Sequence, residues 1–244
     1  MIGLRPLSLV LVALLPAAFS LPGCDGFTLG RDRPDSALDF PMPDRSVARV
    51  VSNEFSNEDA RDSRGEAQAV MEIAEIAPGM TVADIGAGEG YYTVRLAERV
   101  GEDGRVLAQD IDRDALERLG RRVDRERLEN ISIKLGEEDD PRLPVDSFDR
   151  IFLVHMYHEV AEPYAFLWRM WPALANGGQI IVVDVDRPIE RHGIRPNLLF
   201  CEFQSIGYKL VAFVERPDLE GYVARFERGE QRSEPGSIEV CSDT

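Results

Sequence analysis

The stretch that decides the fold is a short apolar run ending in three closely spaced glycines, Val82-Ala83-Asp84-Ile85-Gly86-Ala87-Gly88-Glu89-Gly90-Tyr91-Tyr92-Thr93. The β-branched, apolar character of residues 81–85 is typical of a buried strand. Glycines at alternate positions let the backbone approach a ligand where a Cβ atom would collide. An amphipathic helical pattern follows, and the free N–H groups at its start favour a polar or anionic ligand group. The segment therefore predicts a nucleotide-type site at the edge of a parallel sheet.

The glycine spacing and the acid before it indicate which nucleotide binds. Gly86-x-Gly88-x-Gly90 differs from the Gly-x-Gly-x-x-Gly spacing of dinucleotide sites. Asp84 stands where a carboxylate repels a pyrophosphate and suits an ammonium group. The motif resembles motif I of the class I S-adenosylmethionine-dependent methyltransferases, which implies that Asp84 and the three glycines bind S-adenosyl-L-methionine. The same features argue against a further alternative, a nicotinamide-dependent oxidoreductase.

The resemblance extends over residues 65–226 and implies an α/β fold. That fold is a Rossmann-like, doubly wound, mainly parallel seven-stranded sheet with a C-terminal antiparallel hairpin. A helical stripe over residues 65–76 precedes the first strand. The further predicted strands lie at residues 105–110, 131–135, 147–154, 179–185, 208–214 and 221–226.

The predicted second and third strands end in acidic residues that suit a nucleoside. Asp110 ends the second strand, where a carboxylate accepts both hydroxyls of a ribose. Ile111 would then pack on the adenine face, and Asp112 is expected to cap the next helix. In the family, an acid beyond the third strand accepts from the adenine amino group. Glu137 fits that pattern best, with Asp139 next.

The loop after the fourth strand carries the candidate catalytic residues. In the family, this end of the strand faces the transferable methyl group. Imidazole and carboxylate are the groups that a general base needs when the acceptor must lose a proton. We favour His158 or His155 as the base, with Glu159 orienting it, and we expect His155 to contact the cofactor as well.

Four further side chains are candidates for contact with the acceptor. Tyr157 follows the fourth strand, and Asp184 ends the fifth. Arg61 and Arg64 precede the first strand, where family members shape the substrate pocket, and they would suit an anionic group. The alternative for both arginines is a solvated charge at a helix end.

Two other interpretations of the histidine loop stay open. A metal ion would use Asp184 or Asp186 as further ligands, but the spacing matches no strong zinc pattern, so we predict no metal. In the second interpretation, His158 and Glu159 cap the following helix and hold the loop.

The first residues resemble a bacterial lipoprotein signal. Arg5 precedes an apolar run over residues 7–19, and Leu21-Pro22-Gly23-Cys24 resembles the cleavage box, with Pro22 departing from the pattern. This predicts a signal peptide over residues 1–23, a lipid anchor at Cys24 and a place in the cell envelope. Because S-adenosylmethionine is made in the cytoplasm, a true start near Met42 and a cytoplasmic enzyme is the alternative.

Composition and the boundaries between segments give the remaining predictions. The chain has 244 residues and a formal net charge of −16, which argues against a nucleic-acid partner. We predict a linker over residues 24–46, the catalytic domain over residues 47–228 and a frayed polar tail over residues 229–244. A disulfide between Cys201 and Cys241 is left open.

The predicted function is methyl transfer from S-adenosyl-L-methionine to a small-molecule acceptor. The acceptor and the oligomeric state do not follow from the sequence. The alternative is a catalytically inactive binding module, anchored in the cell envelope, that keeps the fold and has lost turnover.

Overall fold

The computed structural model describes residues 33–50 and 57–242. The predicted signal peptide, Cys24 and residues 25–32 of the predicted linker lie outside the described residues. Among the helices of the described ranges, none combines the length and the apolar character needed to cross a membrane.

Seven strands form one sheet in the order β3-β2-β1-β4-β5-β7-β6. The strands are β1 (Thr81–Ile85), β2 (Arg105–Asp110), β3 (Ile131–Leu135), β4 (Phe148–Val154), β5 (Leu174–Asp184), β6 (Tyr208–Arg216) and β7 (Gly221–Arg228). Strands β1 to β5 pair in parallel, whereas β7 runs antiparallel to both β5 and β6. This topology confirms the predicted fold class.

Helices cover the sheet because its central strands are apolar on both faces. The helices are α1 (Glu58–Ser63), α2 (Glu66–Ile73), α3 (Tyr91–Val100), α4 (Arg113–Glu126), α5 (Pro163–Met170) and α6 (Pro196–Ile206). Ala83 and Phe152, on the paired strands β1 and β4, are fully buried and belong to different core clusters. Asp112 caps α4 by accepting from the amides of Asp114 and Ala115, as expected from the sequence.

The strand order places a crevice beside β1. Strand β1 pairs with β2 on one side and with β4 on the other, so the chain reverses its direction of growth across the sheet at this point. In open parallel sheets, ligands bind beyond the carboxyl ends of the strands at such a reversal. The glycine loop and the loop after β4 both start at that edge.

The fifth strand begins earlier than predicted. Helix α5 ends at Met170, a single 3-10 turn follows over Trp171–Ala173, and β5 already begins at Leu174. Pro172 has no N–H group to continue the helical hydrogen bonds, which explains the end of α5.

Residues 33–46 are packed against the domain, so the linker prediction is wrong for them. Ala37 and Phe40 are buried in the larger core cluster. The guanidinium of Arg33 lies 2.7 Å from Glu162, and Arg45 Nε lies 2.7 Å from Glu202 Oε1 with both side chains inaccessible to solvent. The sequence hid this packing because few apolar residues are scattered among prolines and acids.

The C-terminal residues are also packed, so the frayed tail is wrong for residues 229–242. A disulfide joins Cys201 of α6 to Cys241. Ile238 is buried in the core, and the Arg232 guanidinium lies 3.4 Å from the centre of the Trp168 ring. The possibility left open for the two cysteines is thereby decided: they are bonded.

Candidate active site

The glycine loop after β1 has a backbone that other residues rarely adopt. Gly86, Gly88 and Gly90 have φ angles of 69°, 55° and 88°, in the left-handed region that glycine enters without steric cost. A Cβ atom on Gly90 would lie 2.4 Å from Leu119 Cδ1, and one on Gly86 would lie 3.0 Å from Met156 Cγ. The loop is therefore in close contact with α4 and with the segment after β4.

Asp110 joins the end of β2 to the glycine loop. Its Oδ2 accepts from the Gly88 amide at 2.8 Å, and its Oδ1 accepts from the Asp112 amide at 2.9 Å. A carboxylate has about four acceptor directions, so each oxygen retains one for a ligand hydroxyl. Ile111, the next residue, is 40% exposed. The predicted contacts of Asp110 with the ribose and of Ile111 with the adenine stay predictions.

Asp84 is buried behind the glycine loop. Its Oδ2 accepts from the Thr93 hydroxyl at 2.6 Å, which ties β1 to α3. Burial raises the pKa of Asp84 to about 6, although the hydrogen bond from Thr93 acts in the opposite direction. The first role of this carboxylate is to fix the helix behind the loop, and its contact with the ammonium end of the cofactor stays a prediction.

The two acids predicted to reach the adenine lie in different surroundings. Glu137 is exposed and forms an ion pair with Arg142. Asp139 is 2% exposed and accepts from Arg169 and from the Ser36 hydroxyl, both at 2.5 Å. The structure therefore corrects the assignment of Asp139, whose carboxylate holds the N-terminal segment in place. Glu137 remains the candidate for adenine.

His155 lies immediately after β4 and faces an acid that the sequence analysis missed. Its φ angle is 52°, and its Nε2 lies 3.7 Å from Glu66 Oε1 at the start of α2. Burial disfavours an ionised Glu66, but His155 and Arg61 outweigh that effect and lower the pKa of Glu66 to about 2. Glu66 is therefore an anion at neutral pH, held next to a partly exposed imidazole.

Arg61 forms an ion pair with the same acid, Glu66. Its Nη2 lies 2.5 Å from Glu66 Oε1, and its guanidinium lies 3.9 Å from the centre of the Tyr91 ring. Arg64 is more exposed and lies 3.9 Å from Glu66 Oε2. Contact of either arginine with an anionic acceptor stays a prediction, and Arg61 would have to share its charge with Glu66.

His158 lies in a second, separate group of side chains. Its Nδ1 is 2.9 Å from Asp184 Oδ2, and both side chains are buried. The structure thus separates the two histidines that the sequence places three residues apart. Glu66 faces the imidazole of His155 and Asp184 faces that of His158, and the predicted orienting role of Glu159 stays a prediction.

Two side chains that were predicted to contact the methyl acceptor are inaccessible to solvent. Tyr157 is fully buried and donates its hydroxyl to Glu202 at 2.8 Å. Asp184 is fully buried and accepts from His158 and from the Val185 amide. Both assignments to the acceptor are therefore corrected: these side chains hold the loops around the site.

Sequence reasoning overlooked Glu66 and Glu202 because each lies in a segment with an apolar helical stripe. A signal was present for Glu202: it is an acid within α6, whose other inward positions are Leu198, Leu199, Phe203 and Ile206. For Glu66, the sequence gives no comparable indication, since an acid in the first turn of a helix is common.

Known proteins share both the sequence pattern and the fold. The profile of a methyltransferase domain family matches residues 76–201, just over half of the chain. A ubiquinone/menaquinone biosynthesis C-methyltransferase from Shewanella sp. strain ANA-3 is 30% identical over 120 residues, which are 48% of this chain and 47% of that protein. Its counterpart from Idiomarina loihiensis is 29% identical over 121 residues, 49% of this chain and 48% of that protein. The chain spans about half the length of the curated relatives it matches.

Solved structures agree on the fold. A SAM-dependent methyltransferase from Aquifex aeolicus superimposes with a TM-score of 0.63 at 22% identity, covering 68% of this chain and 91% of that one. A protein from Pyrococcus horikoshii gives a TM-score of 0.58 at 13% identity, covering 72% and 94%. At these identities the superpositions show the fold alone.

The fold, the glycine loop and Asp110 define a domain of the methyltransferase class. The chain belongs to the methyltransferase domain family. Its class is that of the S-adenosylmethionine-dependent methyltransferases, and S-adenosyl-L-methionine is the cofactor that the family implies. Nothing in these comparisons supports the alternative of an inactive binding module.

Proposed function

We propose that the chain transfers a methyl group from S-adenosyl-L-methionine to a small-molecule acceptor, with His155 taking up the proton that the acceptor loses. The observation that carries the proposal is the position of His155 directly after β4. The next residue, Met156, packs on Gly86 of the cofactor loop. The imidazole therefore lies beside the crevice that the glycine loop forms.

Different parts of the chain bind the cofactor and hold the methyl acceptor. Asp110 and Ile111 hold the ribose and adenine, and the glycine loop allows close approach to its backbone. S-adenosylmethionine, when bound, supplies an electrophilic methyl group. The chain holds the acceptor against that group, and such positioning supplies much of the acceleration.

His155 and Glu66 handle the proton. As the acceptor gains the methyl group it loses one proton, which the imidazole of His155 accepts. Glu66 is ionised at neutral pH and lies 3.7 Å from that imidazole, so it stabilises the imidazolium that results.

The relatives' name suggests which acceptors to assay first. They are named as C-methyltransferases of quinone biosynthesis, so apolar aromatic acceptors with an activated C–H bond head the panel. The chain spans about half the length of these relatives, and the acceptor is proposed as a small molecule.

A labelled methyl donor tests the proposal without a known acceptor. The chain is incubated with tritiated S-adenosylmethionine and a bacterial lysate, which is then separated into lipid, aqueous small-molecule, protein and nucleic-acid fractions. We expect label in a lipid or aqueous small-molecule fraction, and a loss of that label with His155→Gln. Label confined to protein or nucleic acid would contradict the proposal.

We also propose that the enzyme resides in the cell envelope. Two observations support this: the lipoprotein-like sequence before Cys24, and the Cys201–Cys241 disulfide, a bond that persists mainly in oxidising compartments. A start at Met42 would remove Ala37 and Phe40 from the core. In fractionated cells, we expect the chain in the membrane fraction and Cys24→Ala in the soluble one. Equal distribution of the two would contradict the lipid anchor.

A further inference from the structure

Three side chains converge on one point beside the candidate active site. His158, Glu159 and His192 each offer one ligand atom, and these atoms all lie within 4.8 Å of one another. His158 and Glu159 come from the single 3-10 turn after β4, whereas His192 follows β5 by eight residues. Two imidazoles and a carboxylate are ligands that divalent transition metals bind.

The His158 ring is already oriented for such a role. Its Nδ1 lies 2.9 and 3.0 Å from the two oxygens of Asp184, which is fully buried. Because a carboxylate oxygen accepts hydrogen bonds, Nδ1 is the nitrogen that donates to Asp184, and Nε2 is the nitrogen left for a ligand. A carboxylate behind the far nitrogen is the usual support of a metal-binding histidine.

A buried ring nitrogen of His192 is the observation that points to a bound ion. His192 ends the 3-10 turn Ile189–Arg191 with a φ angle of 57°, which turns the chain back towards β5. Its ring centre lies 5.7 Å from that of His158. Its Nδ1 atom is buried and has no hydrogen-bond partner among the described residues. A buried polar atom without a partner is unfavourable, and an ion bound by the ring would compensate for it.

The backbone around His192 is fixed by further contacts. Arg187 Nε donates to the His192 carbonyl at 3.0 Å, and the Ile194 amide donates to the Val185 carbonyl at 3.0 Å. A Cβ on Gly193 would lie 2.5 Å from the Val185 carbonyl oxygen, so only glycine allows this close turn. These contacts hold the backbone of His192 close to the end of β5.

We propose that His158 Nε2, a ring nitrogen of His192 and the Glu159 carboxylate bind a divalent transition-metal ion of the zinc type. Three protein ligands leave one coordination position open, which is the arrangement of catalytic rather than structural zinc sites. Asp184 is the supporting carboxylate behind His158 and not a ligand itself. Glu159 also has another interaction in the structure, which a bound ion would share or replace.

The site is independent of the proposed methyl transfer, because it uses neither the glycine loop nor His155. It lies at the same edge of the sheet, since its residues follow β4 and β5. Metal binding can therefore be measured directly, without cofactor or acceptor.

The chain contains three histidines in all, so His155 provides a matched control. The full chain, freed of any histidine tag and stripped with a chelator, is titrated calorimetrically with Zn²⁺ alone. We expect one ion per chain for the wild type and for His155→Gln. We expect no stoichiometric binding for His192→Ala, and an affinity lowered by about 10–100-fold for Asp184→Asn.

Since His158 is buried and His192 is half-buried, the decisive variant is His192→Ala, with its fold checked by circular dichroism. Binding by folded His192→Ala that equals the wild type would overturn the proposal. Equal losses in His155→Gln and His192→Ala would overturn it as well, and so would a folded wild type that takes up no zinc.

Discussion

The amide of Gly88 donates a 2.8 Å hydrogen bond to Asp110, whose other carboxylate oxygen accepts from Asp112. One side chain thus fixes the glycine loop after β1 against the end of β2. The same carboxylate is the group that would hold a ribose, so loop geometry and cofactor binding depend on one residue. Replacing it should affect both, whereas the side chain of the neighbouring Asp112 accepts from amides at the start of α4.

Glu66→Gln should lower the stability of the fold in a pH-dependent way. The pKa of Glu66 falls from its ordinary value of 4.5 to about 2, so its ionised form stabilises the folded state. An acid whose pKa is lower in the folded state than in the unfolded state stabilises the folded state fully above its unfolded pKa. That stabilisation is lost as the pH falls towards 2. We expect a loss of roughly 3 kcal/mol in unfolding free energy at pH 7, shrinking below about pH 4.5.

Urea unfolding at pH 7 and pH 3.5 would measure this difference. Glu72→Gln, on the exposed side of the same helix, is the matched control and should change the unfolding free energy by less than about 0.5 kcal/mol. A Glu66→Gln effect that is the same at both pH values would show that its charge is not the cause.

Asp84→Asn should have the opposite effect and raise the stability of the fold at pH 7. Burial raises the pKa of Asp84 from 3.8 to about 6, so the folded state disfavours the anion that neutral pH imposes. The resulting cost is absent below pH 3.8 and complete above about pH 6. An asparagine oxygen can still accept from Thr93, so we expect the variant to have a higher melting temperature than the wild type at pH 7. The rise should be about 2–4 °C for each kcal/mol gained in unfolding free energy. A variant that melts lower at pH 7 than the wild type would refute this account.

His155→Gln should separate binding from turnover. Loss of a general base lowers turnover by about 10²- to 10⁴-fold, while the affinity for S-adenosylmethionine stays within a factor of a few because Asp110 is intact. Formation of S-adenosylhomocysteine in the labelled-lysate assay reports turnover, and calorimetry reports the affinity. Unchanged turnover with a normal affinity would remove His155 from the mechanism.

The Cys201–Cys241 bond should stabilise the C-terminal residues strongly. It closes a loop with a sequence separation of 40 residues, for which loop-closure entropy alone gives about 4 kcal/mol. The double variant Cys201→Ser/Cys241→Ser should therefore unfold at lower denaturant concentration, and so should the wild type treated with a reductant. If reduction leaves the unfolding midpoint of the wild type unchanged, the disulfide is not closed in the folded chain.

Local sequence was sufficient for the parts of the site that lie within one strand and its loop. The glycines set their own backbone, Asp110 ends its strand, and Asp112 caps the helix that begins beside it. These features need only propensity and spacing. The seven-stranded fold with its C-terminal hairpin was predicted from the resemblance to the methyltransferase family, and the order of the strands was not predicted.

Contacts between residues that are far apart in the sequence could not be predicted in this way. His158 and Asp184 are 26 residues apart, and Ser36 and Asp139 are 103 apart. Nothing in either local pattern shows which acid faces which partner, so Asp139 and Asp184 were assigned to ligands although both serve the fold. Glu66 was missed for the same reason, since its neighbour His155 comes from a distant strand.

The most direct test of the central claim is calorimetric titration of the full chain with S-adenosylmethionine and S-adenosylhomocysteine. The wild type and Asp112→Ala should bind both with micromolar affinity, and Asp110→Ala, shown to be folded, should bind neither. If the folded wild type binds neither cofactor at millimolar concentration, or if Asp110→Ala binds as tightly as Asp112→Ala, the assignment of this crevice to S-adenosylmethionine is contradicted.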